Sequence, residues 1–585
     1  MNFRHWIAGL AAVAVAGLAT TSLAQGVPGV TAGRLLNAGS EAEAGNWLMV
    51  HKTYDSTRYS PLNQINAANV AGMHLAFAVP LGGLEPSAFG IGYMEGTPLV
   101  DNGFMYVSDP WGTPYKIDVS SGTQGKILWT CDTGIDKDPS RGILAANRGL
   151  ALWNNLVISN LNDGRVIACD NATGDVVWDQ QIAKDPGEGF TGAPLVVNDK
   201  VLVGQSYGDW ATRGWIAALD AATGKEVWRF YTVPAPGEPG SETWKCDEAG
   251  NPDCWKTGGG AAWVTGSYDP ESNTLIWGTA NPVPMFDPEY RPGDNLYTNS
   301  SVALDMETGA LKWHFQYTPG DYMDYDEVGT QLLVNQTIDG KERKVLAHFG
   351  RNGMFYTLDR TNGAYIASGQ YVTKLTWTKG IDPKTGEPME YDPAKSLQTY
   401  AAGIINRAGA SATSCPNISG GVNFYPTSYN PVTGIAYGAG VEGCSELSVI
   451  PVAPADVKPG TIFLGGPIVN SGAITGAITA IDVATSKQTA QLPTPYPNNS
   501  GMLVTPDLVW SGALNGTFGA YDAKTLAPVW SINVGTAFRA PPMTYTAGGK
   551  QFVAIAGGNV GGNAYGYPEL EAIQPSNMIW VFAVD

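Results

Sequence analysis

Two aspartates, two residues apart, are well placed in this 585-residue chain to bind a cation. Asp324 and Asp326 flank Tyr325 in a stretch that is polar and aromatic. In an extended segment, residues i and i+2 point to the same side, so both carboxylates can face one ion. Close carboxylates repel each other unless a cation lies between them. The spacing therefore favours a site for a hard cation such as calcium or a trivalent lanthanide.

Other stretches are also polar, aromatic and rich in glycine, unlike the apolar segments around them. Gly258-Gly-Gly-Ala-Ala-Trp263 places an indole after three glycines, as if the backbone must approach a flat object. Arg148 and Arg351 can each form planar, bidentate hydrogen bonds with an anionic ligand. The remaining stretches contain Glu95, Thr191, Ser206, Tyr207, Gly208, Asp209, Asn281 and Asn423.

A repeat between these stretches predicts the elements that position them. Each copy has a short apolar strand that ends in Asp, a turn of Thr-Gly type, and a second strand that often contains Trp. The Asp and Thr side chains can bond to the turn backbone, and Gly takes the position with positive φ. Copies occur at Asp118, Asp170, Asp220, Asp305, Asp359, Asp482 and Asp522.

Such a repeat predicts an all-β propeller, because each copy needs neighbours to bury its strands. Frequent Gly (73) and Trp (18), with only 15% charged residues, suit short strands and tight turns. The strand from Met578, which no turn follows, is expected to complete the first blade and close the ring. Residues 371–410 (the first cover segment) and 445–470 (the second cover segment) lack the repeat and are expected to cover one face. An array of β-sandwiches is the alternative.

In their order along the chain, these motifs resemble the pyrroloquinoline-quinone (PQQ)-dependent alcohol dehydrogenases, the family of the methanol dehydrogenase large subunit. The resemblance begins at Trp47 and Ser60-Pro61-Leu62 and runs to the C-terminus. It includes Arg291-Pro-Gly-Asp-Asn295, Asn352-Gly-Met-Phe-Tyr-Thr-Leu-Asp-Arg360 and Pro541-Pro-Met-Thr-Tyr-Thr546. It implies an eight-bladed β-propeller, with PQQ and a metal ion in the central channel, that oxidises a small-molecule alcohol.

The resemblance also implies a role for each candidate site residue. Asp324 would be the catalytic base, and Arg351 would act beside the quinone oxygens. Trp263 would be the floor on which PQQ stacks. Further contacts with PQQ would come from Glu95, Ile143, Arg148, Thr191, Ser206, Tyr207, Gly208 and Asn423. The metal would be bound by Asp209, Asn281, Asp324 and Asp326.

A lanthanide is the expected metal. The Asp324-Tyr325-Asp326 spacing resembles the lanthanide-dependent branch of the family, in which the second Asp is the added ligand. Calcium is the alternative, with Asp326 turned outward or capping a loop. Taken singly, Asp324 would be a turn cap and Trp263 a packing residue; only the ordered set of motifs gives them these roles.

Three departures from the family pattern bear on the substrate. Gly142 and Ile143 stand where the family often has adjacent cysteines that form a ring over the quinone. The acidic metal ligand, often Glu, is Asp209, and Tyr207 replaces a small residue. Aromatic residues of the family's tight pocket are replaced by Asn498 or Asn499 and Asn563. We therefore expect a bulkier or secondary alcohol rather than methanol.

The N-terminus predicts export to the periplasm. A short basic region, an apolar run and the small-x-small site Ser22-Leu23-Ala24 indicate a signal peptide over residues 1–24. The apolar run is too short to span a bilayer, so we expect no membrane span in the mature chain. Residues 25–585 are expected to form one propeller domain without a haem domain, since no CxxCH motif occurs. Electrons would then pass to an external acceptor such as a periplasmic cytochrome c.

Charge and cysteine content narrow the remaining possibilities. A net charge of −19 disfavours nucleic acid as a partner and suits either a basic protein partner or simple solubility. Six cysteines in an exported chain favour disulfides. Their connectivity is open from sequence alone, but short loops favour Cys246–Cys254 and Cys415–Cys444, leaving Cys131–Cys169.

Two other functions compete with the alcohol dehydrogenase. A non-catalytic β-propeller scaffold of the cell envelope would not need Asp324, Asn281 and Trp263 together. A sugar-type quinoprotein oxidase would share the propeller, but the ordered motifs argue against it. An absorption spectrum recorded after addition of quinone and metal distinguishes the enzyme from the scaffold.

Overall fold

The structure is a computed structural model that describes residues 29–561 and 564–585. The expected signal peptide and Asn563 lie outside the described residues. Within them, eight sheets have four or five antiparallel strands each, and the expected eight-bladed β-propeller is confirmed. We number the blades 1 to 8 in chain order.

The first four blades each contain four strands. Blade 1 comprises Leu99–Asp101, Phe104–Ser108, Pro114–Asp118 and Lys126–Thr130. Blade 2 comprises Ala151–Trp153, Leu156–Asn160, Arg165–Asp170 and Val176–Gln181. Blade 3 comprises Leu195–Val197, Lys200–Gly204, Trp215–Asp220 and Glu226–Tyr231. Blade 4 comprises Ser267–Asp269, Thr274–Gly278, Ser300–Asp305 and Leu311–Gln316.

The last four blades include one with five strands and one that joins the two ends of the chain. Blade 5 comprises Leu332–Ile338, Lys341–Phe349, Met354–Asp359 and Tyr365–Gln370. Blade 6 comprises Ala412–Ser414, Ser428–Asn430, Ile435–Leu447, Val469–Asp482 and Lys487–Thr494. Blade 7 comprises Leu503–Val504, Leu508–Gly512, Thr517–Asp522 and Pro528–Asn533. Blade 8 comprises Met543–Ala547, Lys550–Gly557, Met578–Ala583 and His74–Pro80.

Shorter elements lie between the blades. Two small strand pairs are Pro86–Ser87 with Gly90–Ile91 and Tyr93–Met94 with Ala146–Asn147. The α-helices are Ala32–Leu36 and Pro568–Glu571. The 3₁₀ helices are Glu41–Glu43, Val70–Gly72, Pro139–Arg141, Gly208–Trp210, Ser241–Thr243, Cys246–Ala249, Cys254–Thr257, Pro288–Tyr290 and Pro454–Asp456. Among the residues described, no helix has the length and apolar character needed to cross a membrane.

The two ends of the chain close the ring in blade 8. His74–Pro80 pairs antiparallel with Met578–Ala583, with a bulge at Ala76. As expected, the C-terminal strand closes the ring by pairing with the first blade strand of the chain, His74–Pro80. The blade that contains both is built mainly from C-terminal strands, so we number it last. The first two strands of blade 8, Met543–Ala547 and Lys550–Gly557, precede the C-terminal strand in the chain, and strands that follow one another usually pair.

Tryptophans join successive blades and account for the repeat. Trp178 of blade 2 packs on Gly224, the turn glycine of blade 3, and Trp228 of blade 3 packs on Gly309 of blade 4. Each indole N–H donates to a carbonyl oxygen of the turn it covers, at 3.2 and 3.1 Å. A Cβ at Gly224, where φ is +71°, would come within 2.6 Å of the Trp178 ring. Glycine is therefore required both for the turn and for contact between blades.

The segment from Trp47 to Ser60 lies inside the ring of blades. Its backbone is hydrogen-bonded to Val100 of blade 1, Tyr268 of blade 4 and Leu333 of blade 5. Further along the segment, the fully buried Arg58 donates to backbone carbonyl oxygens near blades 7 and 8. This segment, which we call the central plug, thereby fixes the inner strands of distant blades relative to one another.

The two cover segments pack over loops of one face, in line with the expectation. In the first cover segment, the ring of Trp377 packs 5.7 Å from that of Tyr325, centroid to centroid. In the second, the backbone N–H of Phe463 donates to the carbonyl oxygen of Asp209 at 2.7 Å. Both segments therefore lie against loops that carry predicted site residues.

All three favoured disulfides are present. They are Cys131–Cys169, Cys246–Cys254 and Cys415–Cys444. Cys131–Cys169 links the end of blade 1 to the third strand of blade 2. No free cysteine remains in the described part of the chain.

Candidate active site

The loop between blades 4 and 5 carries the two aspartates. Asp321 shapes this loop, because its carboxylate accepts the backbone N–H groups of Met323 at 2.9 Å and Tyr325 at 3.0 Å. Asp324 lies inside this turn with φ +65°. The expectation of an extended segment was therefore wrong, but Asp324 and Asp326 still face the same group.

That group is the guanidinium of Arg351. Its two terminal nitrogens lie 2.6 Å from a carboxylate oxygen of Asp324 and 2.8 Å from one of Asp326. Its Nε donates to the carbonyl oxygen of Ile418 at 2.7 Å, which fixes the plane of the guanidinium. All three charged side chains are at most 7% exposed, so Asp326 does not turn outward.

Asp326 links this pair to two more predicted site residues. One of its oxygens accepts the indole N–H of Trp263 at 2.9 Å, and the other accepts the backbone N–H of Asn281 at 2.7 Å. The side-chain amide of Asn281 lies 3.3 Å from a carboxylate oxygen of Asp209. Asp209, Asn281, Asp324 and Asp326 thus belong to one connected network.

The network contains more negative than positive charge. Burial raises the pKa of Asp324 well above its usual value; Arg351 opposes this shift, and Asp326 and Asp209 add to it. Burial also raises the pKa of Asp209 to about 6, with the charge of Asp326 contributing. Arg351 supplies one positive charge against three carboxylates, so the network favours a further cation.

The side chains do not chelate an ion in their present positions. In residues 29–561 and 564–585, no three acidic, histidine or cysteine side chains converge closely enough to hold one. Arg351 occupies the space between Asp324 and Asp326. Metal binding here therefore requires side-chain movement, with the guanidinium giving up part of its contact with the two carboxylates.

An aromatic surface lies beside the carboxylates. The backbone just before Trp263 packs closely on blade 3: a Cβ at Gly204 would come within 1.9 Å of the carbonyl oxygen of Ala262. The Arg148 guanidinium lies 4.6 Å from the centroid of the Trp263 ring and 4.4 Å from that of Phe424. The Nε of Arg148 is buried without a hydrogen-bond partner. Cation and ring faces here suit a flat anion.

Arg148 connects this surface to three more of the predicted residues. It lies 2.6 Å from a carboxylate oxygen of Glu95 and donates to the hydroxyl of Thr191 at 2.5 Å. The backbone N–H of Thr191 donates to the hydroxyl of Ser206 at 2.9 Å. Glu95, Arg148, Thr191 and Ser206 are thus brought together.

The remaining predicted cofactor contacts lie around this core. Gly208 begins the 3₁₀ helix that carries Asp209. The Tyr207 hydroxyl donates to the carbonyl oxygen of Leu144 at 2.8 Å, and Ile143 lines a cavity of about 330 Å³ with Tyr207. Asn423 is partly buried, and its Oδ1 has no hydrogen-bond partner.

Asn498 and Asn499 are the two candidates for one of the expected aromatic replacements, and their contacts differ. Asn499 donates to the hydroxyl of Tyr565 at 3.3 Å, and Tyr565 packs against the cluster that contains Phe424. Asn498 instead binds the hydroxyl of Ser511 at 3.2 Å and caps its own turn. Asn499 is therefore the candidate that reaches, through Tyr565, the cluster that contains Phe424.

Two features of the site were missed from the sequence. Arg539 binds one oxygen of Glu95 through two nitrogens, at 3.0 and 2.7 Å. The buried Glu327 accepts the backbone N–H of Arg351 at 3.1 Å, and the same carboxylate oxygen lies 2.8 Å from Nε2 of His348. A lone arginine in the apolar run around Arg539 was the available signal for the first.

Comparison with known proteins identifies the family. Residues 47–370 match the family described as PQQ glucose/ethanol/alcohol dehydrogenase, β-propeller domain. The chain is 34% identical to quinohemoprotein alcohol dehydrogenase ADH IIB of Pseudomonas putida, covering 93% of this chain and 78% of that protein. It is 32% identical to the lanthanide-dependent methanol dehydrogenase of Methylacidiphilum fumariolicum, covering 89% and 86%. A europium-containing methanol dehydrogenase structure matches with a TM-score of 0.83 and 30% identity, covering 94% and 100%. The chain therefore belongs to the PQQ-dependent alcohol dehydrogenases.

Proposed function

We propose that this protein is a periplasmic quinoprotein dehydrogenase that oxidises an alcohol to an aldehyde or ketone by hydride transfer to metal-bound PQQ. The network of Asp324, Asp326, Arg351, Asn281 and Trp263 carries the proposal. It joins a buried candidate base, an oxygen-rich ligand set and a flat aromatic ring through contacts of 2.6–2.9 Å. An inert scaffold has no need of this combination of buried charges, which is costly to fold.

The residues around Trp263 fit a flat, trianionic quinone. Two of their buried polar atoms, the Nε of Arg148 and the Oδ1 of Asn423, have no hydrogen-bond partner. Arg148 and Thr191 offer donors suited to carboxylates. The quinone would be held by Glu95, Ile143, Arg148, Thr191, Ser206, Tyr207, Gly208, Trp263, Arg351 and Asn423.

The oxygen-rich network fits a hard cation held by Asp209, Asn281, Asp324 and Asp326. The proposed ligands include three carboxylates, which together offer more negative charge than a divalent ion requires. We propose a lanthanide, because a trivalent ion matches the charge of these three carboxylates. Two relatives support this choice, one named lanthanide-dependent and one containing europium. Calcium is the alternative ion.

Asp324 is proposed as the base that takes the hydroxyl proton of the alcohol. The bound metal and quinone would supply a Lewis acid and a hydride acceptor. Burial raises the pKa of Asp324, which strengthens its affinity for a proton. Arg351 fixes the carboxylate at 2.6 Å and stabilises its charged form. Asp326 holds Trp263 and Asn281 in place through its own hydrogen bonds.

The substrate is proposed to be bulkier than methanol, or a secondary alcohol. Ile143 stands where the family often has a cysteine of the ring over the quinone, and here it lines a cavity with Tyr207. Asn499 donates to the hydroxyl of Tyr565. Electrons are proposed to pass to an external periplasmic acceptor such as a cytochrome c. The net charge of −19 suits a basic carrier, and the predicted signal peptide supports the location.

A dye-linked assay of the reconstituted protein tests the proposal. The protein is loaded with PQQ and either lanthanum or calcium and assayed with primary, secondary and aromatic alcohols and methanol. We expect turnover only when quinone and metal are both present, with lanthanum at least as effective as calcium. Absence of turnover on every alcohol would refute the proposed alcohol dehydrogenase activity. A kcat/KM for methanol above that for every bulky alcohol would refute the proposed preference for bulkier alcohols.

Reduction of a basic cytochrome c by the loaded enzyme tests the acceptor. We expect the rate to fall as salt is added, because long-range attraction between opposite charges is screened. A rate that salt does not change would contradict charge-guided transfer to such a carrier.

A further inference from the structure

Arg539 lies in the loop that leads into blade 8 and is not among the residues that the sequence assigned to the cofactor. Its side chain is buried, with only 5% exposed. It binds one oxygen of Glu95 at 3.0 and 2.7 Å, while the other oxygen lies 2.6 Å from Arg148. Glu95 is therefore shared by two arginines that lie far apart in the sequence. We call Arg148, Glu95 and Arg539 the arginine triad.

The arginine triad contains two positive charges and one negative charge. Burial lowers the pKa of Arg148; Glu95 opposes this shift, and the charge of Arg539 adds to it. A buried excess of positive charge is unfavourable unless an anion compensates it. The triad therefore has the charge to bind an additional carboxylate, and the buried Nε of Arg148 is a donor without a hydrogen-bond partner.

The position of the triad matches the proposed quinone site. Phe424 contacts both guanidinium groups, with ring-centroid distances of 4.4 Å to Arg148 and 5.6 Å to Arg539. Arg148 also lies over Trp263, the proposed floor. Burial raises the pKa of Tyr425 well above its usual value, and the charges of Arg539 and Arg351 both oppose this shift. Arg539 therefore acts electrostatically on the same buried surroundings as Arg351.

The aspartate network around Arg351 and the arginine triad thus carry excess charge of opposite sign. The aspartates around Arg351 have a negative excess, which suits a cation, and the arginine triad has a positive excess, which suits an anion. We propose that Arg539 binds a carboxylate of PQQ together with Arg148, with Glu95 between the two guanidinium groups. This inference rests on the proposed function and adds one residue to the cofactor site.

Quinone binding, measured without turnover, tests the inference. Apo-protein with lanthanum or calcium is titrated with PQQ and, separately, with its uncharged trimethyl ester, and tryptophan fluorescence reports binding. In Arg539→Gln we expect the affinity for PQQ to fall by roughly 10- to 100-fold, as for loss of a charged hydrogen bond. The affinity for the ester should fall by less than about threefold, since it offers no carboxylate charge.

Arg360→Gln is the matched control. Arg360 is a buried arginine, 6% exposed, that pairs with Asp269 at 3.1 Å and lines a different cavity. Its replacement removes a comparable ion pair, so we expect a lower melting temperature and wild-type affinity for both quinones. If Arg539→Gln does not fold, Arg539→Lys replaces it, because lysine keeps the charge but loses the planar fork. In Arg539→Lys, an affinity for PQQ that falls by roughly threefold or more, without an equal fall in affinity for the ester, then supports the inference.

Two results would overturn the role of Arg539. One is a folded Arg539 variant with wild-type affinity for PQQ. The other is an equal loss for PQQ and the ester, which would reduce Arg539 to a packing residue that supports Glu95. Failure of the wild-type protein to bind PQQ is a separate result, because it would refute the proposed function itself.

Discussion

Replacing Asp324 with asparagine removes the proposed base while preserving the shape of the side chain. The amide oxygen of asparagine can still accept the Arg351 hydrogen bond, which is 2.6 Å long in the wild type. The lost negative charge comes from a network in which three carboxylates face one arginine, so its removal also relieves repulsion. We therefore expect the Asp324→Asn protein to fold and to bind quinone much as the wild type does.

Turnover, by contrast, should collapse. Loss of a general base costs about 10²- to 10⁴-fold in rate, which corresponds to about 3–5.5 kcal/mol in the activation free energy. Single-turnover kinetics with quinone and metal bound separate this effect from weaker binding. Asp305→Asn is the control, because Asp305 caps a blade-4 turn by accepting from Thr308 at 3.0 Å and pairs with Lys312 at 3.3 Å, with no contact to the proposed site residues. It should lose about 1 kcal/mol of stability and keep kcat. A kcat for Asp324→Asn within about threefold of the wild type would remove Asp324 from the role of base.

Three further predictions concern the metal, the blades and the pH response. Asp326→Asn should lower the ratio of lanthanum to calcium activity at least about tenfold, because it removes a charge beside the ion; an unchanged ratio would show that Asp326 does not select the metal. Trp228→Ala should lower the free energy of unfolding by about 3–5 kcal/mol in denaturant titrations, and a change below about 1 kcal/mol would contradict the packing of blade 3 on Gly309. Burial, with the charge of Arg58 adding, lowers the pKa of His51 to about 3, so between that pH and about 6.5 the unfolded chain binds a proton that the folded chain does not. Wild-type stability should therefore fall by about 1.4 kcal/mol per pH unit below pH 6.5 relative to His51→Asn, and parallel stability curves would contradict this.

Most of the propeller was predictable because its repeat is local. In the clearest copies, at Asp170, Asp220 and Asp305, the Asp, Thr and Gly act within one turn. Trp of one blade contacts the turn of the next, as Trp178 does at Gly224. The pairing of the outer strand in blade 8 has no such local signal. This strand, His74–Pro80, comes from the other end of the chain and carries no Asp-Thr-Gly turn of its own. Pairing between the ends of a chain depends on the closure of the whole ring and leaves no local pattern.

The residue types of the site were predictable, but their arrangement was not. Asp324 and Asp326 stand out in sequence, yet the turn imposed by Asp321 decides how they converge on Arg351. The contact of Arg539 with Glu95 joins positions 444 residues apart, and no spacing rule connects them. Folding of the ring brings such residues together, so the net charge of each cluster can be read only from the structure.

The most direct test of the central claim follows the bound quinone spectroscopically. Apo-protein is titrated with PQQ and lanthanum, excess quinone is removed, and an alcohol is added without an electron acceptor. We predict saturable binding of one quinone per chain and a change from the oxidised to the reduced quinone spectrum in the wild type. The same spectrum should stay oxidised in Asp324→Asn. Absence of saturable binding, or equally fast reduction in both proteins, would contradict the proposed quinone site and its base.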